Sequence, residues 1–131
     1  MDNDREYKGY KDLKVYNKAF EVAMDIFWLT KSFPKEETYS LTDQIRRSSR
    51  SIGSNIVESW AKRVYIKSFV SKLIDAQSEA DETIHWLDIS LDCEYIEKEK
   101  HHDLLERIIE VQRMLTSMIR KPEKFCHKPK L

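Results

Sequence analysis

Glycine and proline are nearly missing from this chain, which has two Gly and three Pro in 131 residues. So few turn formers cannot serve the many reversals of a β-sandwich, a barrel or a doubly wound sheet. No apolar run reaches the ~18 residues of a membrane-spanning helix. The stretch from Met1 to Lys14 is polar, so neither a span nor a signal peptide is expected. The two cysteines, Cys93 and Cys126, match no metal-ligand spacing and make no disulfide framework, which points to a cytoplasmic protein. One sign of charge is lacking too: 23 basic residues balance 23 acidic ones. That removes the simplest argument for nucleic-acid binding. What remains is 40% hydrophobic and 35% charged sequence, enough for one core and the composition of long helices with short connections.

Four amphipathic patterns follow one another. Residues 1–11 are polar and read as a flexible arm. Asp12 is placed to cap a first helix. In that helix Leu13, Tyr16, Phe20, Ala23 and Phe27 form one stripe, and Val15, Ala19, Val22, Ile26 and Leu29 form a second beside it. A helix with two apolar stripes needs burial on two sides, so the second is expected to meet another subunit. Pro34 ends the pattern. Ser40, with Asp43 three residues on, can cap a second helix, whose stripe is Leu41, Ile45, Ser48 or Ser49, Ile52, Ile56 and Trp60. Between Ser48 and Ser59 this helix is rich in Ser, with Gly53 and Asn55, all weak helix formers. Only tertiary packing can hold it, and its small side chains invite close approach by a neighbour.

A third pattern runs Ile66, Phe69, Val70, Leu73, Ala76, Ala80, Ile84, Leu87 and Leu91. A fourth runs Leu104, Leu105, Ile108, Val111, Leu115, Met118 and Ile119, ending before Pro122. The expected architecture is all-α, an antiparallel up-down-up-down four-helix bundle over residues 12–121, followed by a basic tail at 122–131 that reads as unstructured. Arg120, Lys121, Lys124, Lys128 and Lys130 outnumber Glu123 there, which suits either solubilising disorder or a phosphate-seeking arm.

The stretch from Gln44 to Glu58, with Phe33-Pro34-Lys35-Glu36-Glu37 before it, resembles a known family. That family of four-helix bundles was first met in intervening sequences of bacterial 23S rRNA genes. Its pattern is an F-P-x-x-E loop, then Q-I-R-R, then S-I-x-x-N-I-x-E-G, and later A-x-G-S-x-x-E. Here the matching positions include Arg47, Ser51, Asn55 and Glu58, then Ser78, with Ala76 and Glu82 each one residue past the pattern's Ala and Glu. Two positions depart: Ser59 and Gln77 stand where the family has Gly. The resemblance implies an antiparallel bundle assembling as a homopentamer. It implies no enzyme, and some looser relatives bind nucleic acid.

Local charge suggests sites. Residues 46–72 carry seven Lys and Arg against Glu58, and residues 75–106 carry eleven acids against two Lys. The basic band could meet RNA or DNA through Arg46, Arg50, Lys62, Arg63 and Lys67. Pairing of basic and acidic bands between subunits competes with that reading, because no aromatic residues alternate with the arginines. Arg47 points about 100° from Arg46 and suits a structural pair with Glu58 or Glu82. Asn55 and Glu58, one turn apart, suit interhelical hydrogen bonds better than catalysis.

Two Glu-x-x-His spacings, Glu82 to His85 and Glu99 to His102, fall in different layers of a bundle and form no di-iron site. No metal, cofactor or small-molecule substrate is expected. Trp86 lies beside its stripe and could fill a groove on a neighbour, completing an oligomer interface with Val15, Val22, Ile26 and Leu29. The expected role is a non-enzymatic, oligomeric scaffold or nucleic-acid-associated binder, the alternative being a protein-interaction module alone.

Overall fold

The computed structural model describes residues 7–127. Four helices account for most of them: α1 (Lys14–Thr30), α2 (Asp43–Ala61), α3 (Ile66–Asp92) and α4 (Lys98–Arg120). No strand occurs among the described residues. Each helix packs on the next, and α4 closes back on α1. Short connections between sequential neighbours make the bundle antiparallel, with α1 and α3 on one diagonal.

The second helix follows its expected stripe closely. Leu41, Ile45, Ser48, Ser49, Ile52, Ile56 and Trp60 are all buried. Its buried hydroxyls are satisfied on their own helix: Ser48 donates to the Ile45 carbonyl, Ser49 to Arg46 and Ser59 to Ile56. Thr83 of α3 then donates to Ser48 Oγ at 2.9 Å. Small side chains on α2 bring α3 close, and their hydroxyls leave no orphaned donor at that contact.

The first helix reverses the expected phase. Val15, Ala19, Val22 and Ile26 are buried in the subunit's own core, while Phe20 is 54% and Trp28 64% exposed. The expectation that Val15, Val22, Ile26 and Leu29 meet another subunit therefore needs correcting. The first three are interior, and Leu29 is half-buried against the core. The physical reason is size: Ala and β-branched residues fit the narrow space above the Ser-rich helix, and the aromatic side chains do not.

The caps differ as well. Asp12 accepts the Lys8 N–H at 2.8 Å instead of capping α1, whose Ncap is Leu13. Ser40 lies in a π-helical turn, Thr38–Thr42, and donates to Glu37 Oε1 at 2.7 Å.

Neither end of the described chain is loose. Tyr7 packs edge-on against Trp60 at 5.8 Å, and Phe125 stacks on Phe69 at 6.2 Å. The flexible arm at 1–11 and the unstructured tail at 122–131 are thus corrected for residues 7–11 and 122–127. Lys128 and Lys130 lie outside the described residues.

The turn from α3 to α4 closes with Glu94 in the left-handed region at φ 62°. The Tyr95 N–H bonds to the Ser90 carbonyl and the Glu94 N–H to Leu91, the paired pattern that usually carries Gly at this position. A side chain there costs about 1 kcal/mol. Glu94→Gly should raise stability by about that amount, measured as a higher denaturation midpoint at unchanged slope.

Beside this turn Tyr95 donates to Glu37 Oε2 at 2.8 Å, tying it to the loop after α1. That hydrogen bond, with burial behind it, pushes the Tyr95 phenol up to about 12 from 10.0. A raised folded-state pKa contributes stability that is complete below pH 10 and lost as pH climbs toward 12. Tyr95→Phe should flatten the alkaline decline in that window relative to the wild-type protein, measured by denaturant midpoints across pH.

Candidate functional site

Two surfaces stand out from the ordinary polar exterior. The first lies along α1 and α2. Phe20, Met24 and Trp28 are exposed at four-residue spacing, a ridge of about 12 Å at 1.5 Å per residue. Beside it runs a groove of about 390 Å³. Its floor is made of Ala19, Ala23, Ser49 and Gly53, with Tyr16 and Phe20 on one wall and Arg50 and Val57 on the other. A Cβ built on Gly53 would stand 3.8 Å from the Tyr16 ring, an ordinary contact, so Gly53 serves by being small rather than by sparing a clash.

At the far end of this face, cations surround the Phe27 ring. Arg46 Cζ and Lys31 Nζ lie 4.8 Å from its centroid and Arg50 Cζ 5.7 Å. Arg46 is also held by Thr30 Oγ1, which accepts from its Nε at 2.8 Å. A guanidinium at the C-terminal end of α1 complements the helix dipole there.

The second surface is an end of the bundle. Antiparallel topology gathers the start of α1, the α2–α3 turn and the end of α4. Segments 7–16, 57–72 and 110–127 together carry eleven Lys and Arg against four carboxylates. At the opposite end, segments 25–47 and 88–106 carry eleven carboxylates against six Lys and Arg. The chain is neutral in sum and polarised along its axis. Ion pairs cross-link its flanks: Arg107 bridges Asp25 at 2.7 Å and Asp103 at 3.3 Å, and Lys18 meets Glu110 at 3.0 Å.

The residues expected to contact nucleic acid do not form one site. Arg46 is engaged by α1. Arg63 donates to the Trp60 carbonyl at 2.8 Å and covers the Trp60 ring at 4.1 Å. Arg50 lies about 18 Å along α2 from Lys62, at 1.5 Å per residue, and on another face. Lys62 and Lys67 are exposed at the basic end.

The family-motif positions are mostly peripheral. Arg47 is exposed rather than a buried partner. Its charge acts on Glu79, whose carboxyl is pushed up by burial and by neighbouring Glu82 while Arg47 pulls it down. Asn55 donates to the Ser51 carbonyl at 2.9 Å, and Glu58 pairs with Lys72 at 3.3 Å. Ser78 and Glu82 are exposed. Gln77, one of the departures, bonds Thr116 Oγ1 at 2.8 Å and so tightens α3 on α4.

Trp86 is half-buried against His85, and its indole N–H is enclosed without an acceptor. It presents little surface for a neighbour. Among the described residues no three His, Cys, Asp or Glu converge as metal ligands, and no helix is long and apolar enough to cross a membrane.

Sequence reasoning placed Arg120, Lys121 and Lys124 in a tail, as solubilising disorder or a phosphate-seeking arm, and missed Arg113 of α4. The signal was available in Arg113 and Arg120, two turns apart and on one face of the helix.

These features define a class: an all-α four-helix bundle with an uncovered apolar face and an axial separation of charge. The chain matches the 23S rRNA-intervening sequence protein family over residues 11–117, and it belongs to that family. It is also similar to the crystal structure of a protein of unknown function from the S23 ribosomal protein family of Bacteroides thetaiotaomicron VPI-5482. There the identity is 34% and the TM-score 0.74, over 81% of this chain and 95% of that one. Comparison with curated proteins gives no match.

Proposed function

We propose that the protein is a self-associating, non-catalytic scaffold of the cytoplasm. The observation that carries this reading is the ridge of Phe20, Met24 and Trp28 beside an open groove floored by small residues. Large aromatic residues exposed in one contiguous strip mark an association surface.

A second apolar strip, Ile66, Val70 and Ile74, runs along α3, and Ile66 and Ile74 are about half exposed. It is this strip, rather than Trp86, that offers an unlike partner for the α1 ridge. The two strips lie on diagonal helices, so joining one to the other in successive copies is a head-to-tail contact, which closes into a ring or grows into a filament. Five copies is the number the family resemblance implies.

Sedimentation equilibrium at micromolar protein tests the reading. A closed species several times 15.7 kDa is expected. A single species at 15.7 kDa would defeat it.

A second reading, association with nucleic acid, is favoured by the basic end of the bundle. The name of the matched family, which refers to 23S rRNA, supports RNA as its form.

A further inference from the structure

The basic end contains a defined groove. It is about 670 Å³ in volume and is lined by Gln112, Arg113, Thr116, Ser117, Arg120, Lys121 and Lys124, with Ile109 at its edge. Arg113, Ser117 and Arg120 share one face of α4 over about 10 Å, at 1.5 Å per residue. Lys121 and Lys124 continue the line past the helix end.

No carboxylate lines this groove. None of its four cations makes an ion pair among the described residues, although cations on the flanks do. Asp81 approaches only at the Ile109 end, where it accepts from Gln112 at 2.7 Å. The helix dipole accounts for basic residues in the last turn. It does not account for Arg113, two turns earlier, or for a concavity that collects all four.

We propose that this groove binds the phosphate backbone of a nucleic acid, an assignment that rests on the nucleic-acid reading above. Guanidinium forks match phosphate oxygens, and the Ser117 hydroxyl adds a donor between them. A row of cations about 10 Å long suits a polymer with repeated charges better than a single anion.

A protein partner fits less well. Protein interfaces rely on buried aromatic or aliphatic anchors, and the exposed aromatic residues Phe20, Trp28, Tyr39 and Tyr65 all lie outside this groove. The lack of aromatic lining also predicts contact without base stacking, hence little sequence preference and strong dependence on salt. The axial charge separation orients an approaching polyanion toward this end.

The test uses the full chain and a labelled RNA duplex of about 20 base pairs, titrated by fluorescence anisotropy between about 50 and 200 mM salt. A parallel arm uses DNA of the same sequence. Arg113→Gln with Arg120→Gln should make the slope of log affinity against log salt shallower by about two. Helical content and sedimentation should not change. Arg50→Gln with Lys62→Gln serves as the comparison and should change the slope less.

Failure of the wild-type protein to bind either duplex at low salt would overturn the nucleic-acid reading and this site with it. Binding with an unchanged slope in Arg113→Gln, Arg120→Gln would overturn the site alone. A changed sedimentation mass in that variant would also overturn it, by assigning the groove to contact with the acidic end of another copy.

Discussion

Replacing Phe20 and Trp28 together with glutamate should convert the proposed assembly to a 15.7 kDa species while leaving helical content intact. Both side chains are more than half exposed in the single subunit, so the fold loses little when they go. Surface changes of that kind usually stay within about 0.5 kcal/mol. At a subunit contact the same residues become anchors, and losing one aromatic anchor costs about 2 kcal/mol. Two such losses weaken each contact about a thousandfold at 1.4 kcal/mol per decade, before the cost of burying two carboxylates is counted.

Val22→Glu provides the contrast. Val22 is 1% exposed within the subunit. A charge there should unfold the chain, as seen by circular dichroism, and not merely dissociate it. A Phe20, Trp28 variant that still sediments like the wild-type protein would place the subunit contact elsewhere.

The existence and order of the helices were legible because α2 and α4 carry one apolar stripe each, and each stripe is interior. In α4 the buried set is Leu104, Ile108, Val111, Leu115 and Met118, as the spacing predicts. On α3 the core drifts instead onto Thr83 and Ser90, leaving Ile84 and Leu91 at its margin. Periodicity could not anticipate that, because both hydroxyls become acceptable inside only through hydrogen bonds, Thr83 to Ser48 Oγ on the facing helix and Ser90 to the Trp86 carbonyl one turn back.

On α1 two apolar stripes lie side by side, and the aliphatic one, expected at a subunit contact, is the interior one. What decides between them is the space beside Ser49 and Gly53, where Ala19 and Ala23 lie, a property of the facing helix. An apolar excess on α1 was visible in the sequence; which half of it stays uncovered was not.

The cationic sites show the same limit. Arg46 and Arg50 share a face, yet both lie over the Phe27 ring of a different helix, and Thr30 of that helix also engages Arg46. No spacing within α2 encodes that contact. The basic groove was half legible: Arg120, Lys121 and Lys124 stood out as a charged tail, but only the short helical turn after α4 keeps Lys124 on one groove with Arg113 and Arg120.

Phe69→Ala should be among the most destabilising single substitutions in the chain, at about 3–5 kcal/mol. Its ring is fully buried at the start of α3 and stacks on Phe125. Phe125 in turn lies 5.8 Å from Tyr7, and Tyr7 stands edge-on to Trp60. One side chain thus fastens α3 to the end of α2 and to both outer segments of the described chain. Total stability of a domain this size is about 5–15 kcal/mol, so the loss is a large share of it.

The expected signature is a much lower denaturant midpoint with an unchanged slope, measured at one protein concentration because the proposed association would add to apparent stability. Phe125→Ala distinguishes a packed cluster from a simple cavity. Phe125 is only partly buried, and removing it should cost less than half as much while releasing Tyr7, seen as faster amide exchange over residues 7–12. Equal costs for the two substitutions would mean that the outer segments, rather than the interior of α3, hold this end of the bundle together.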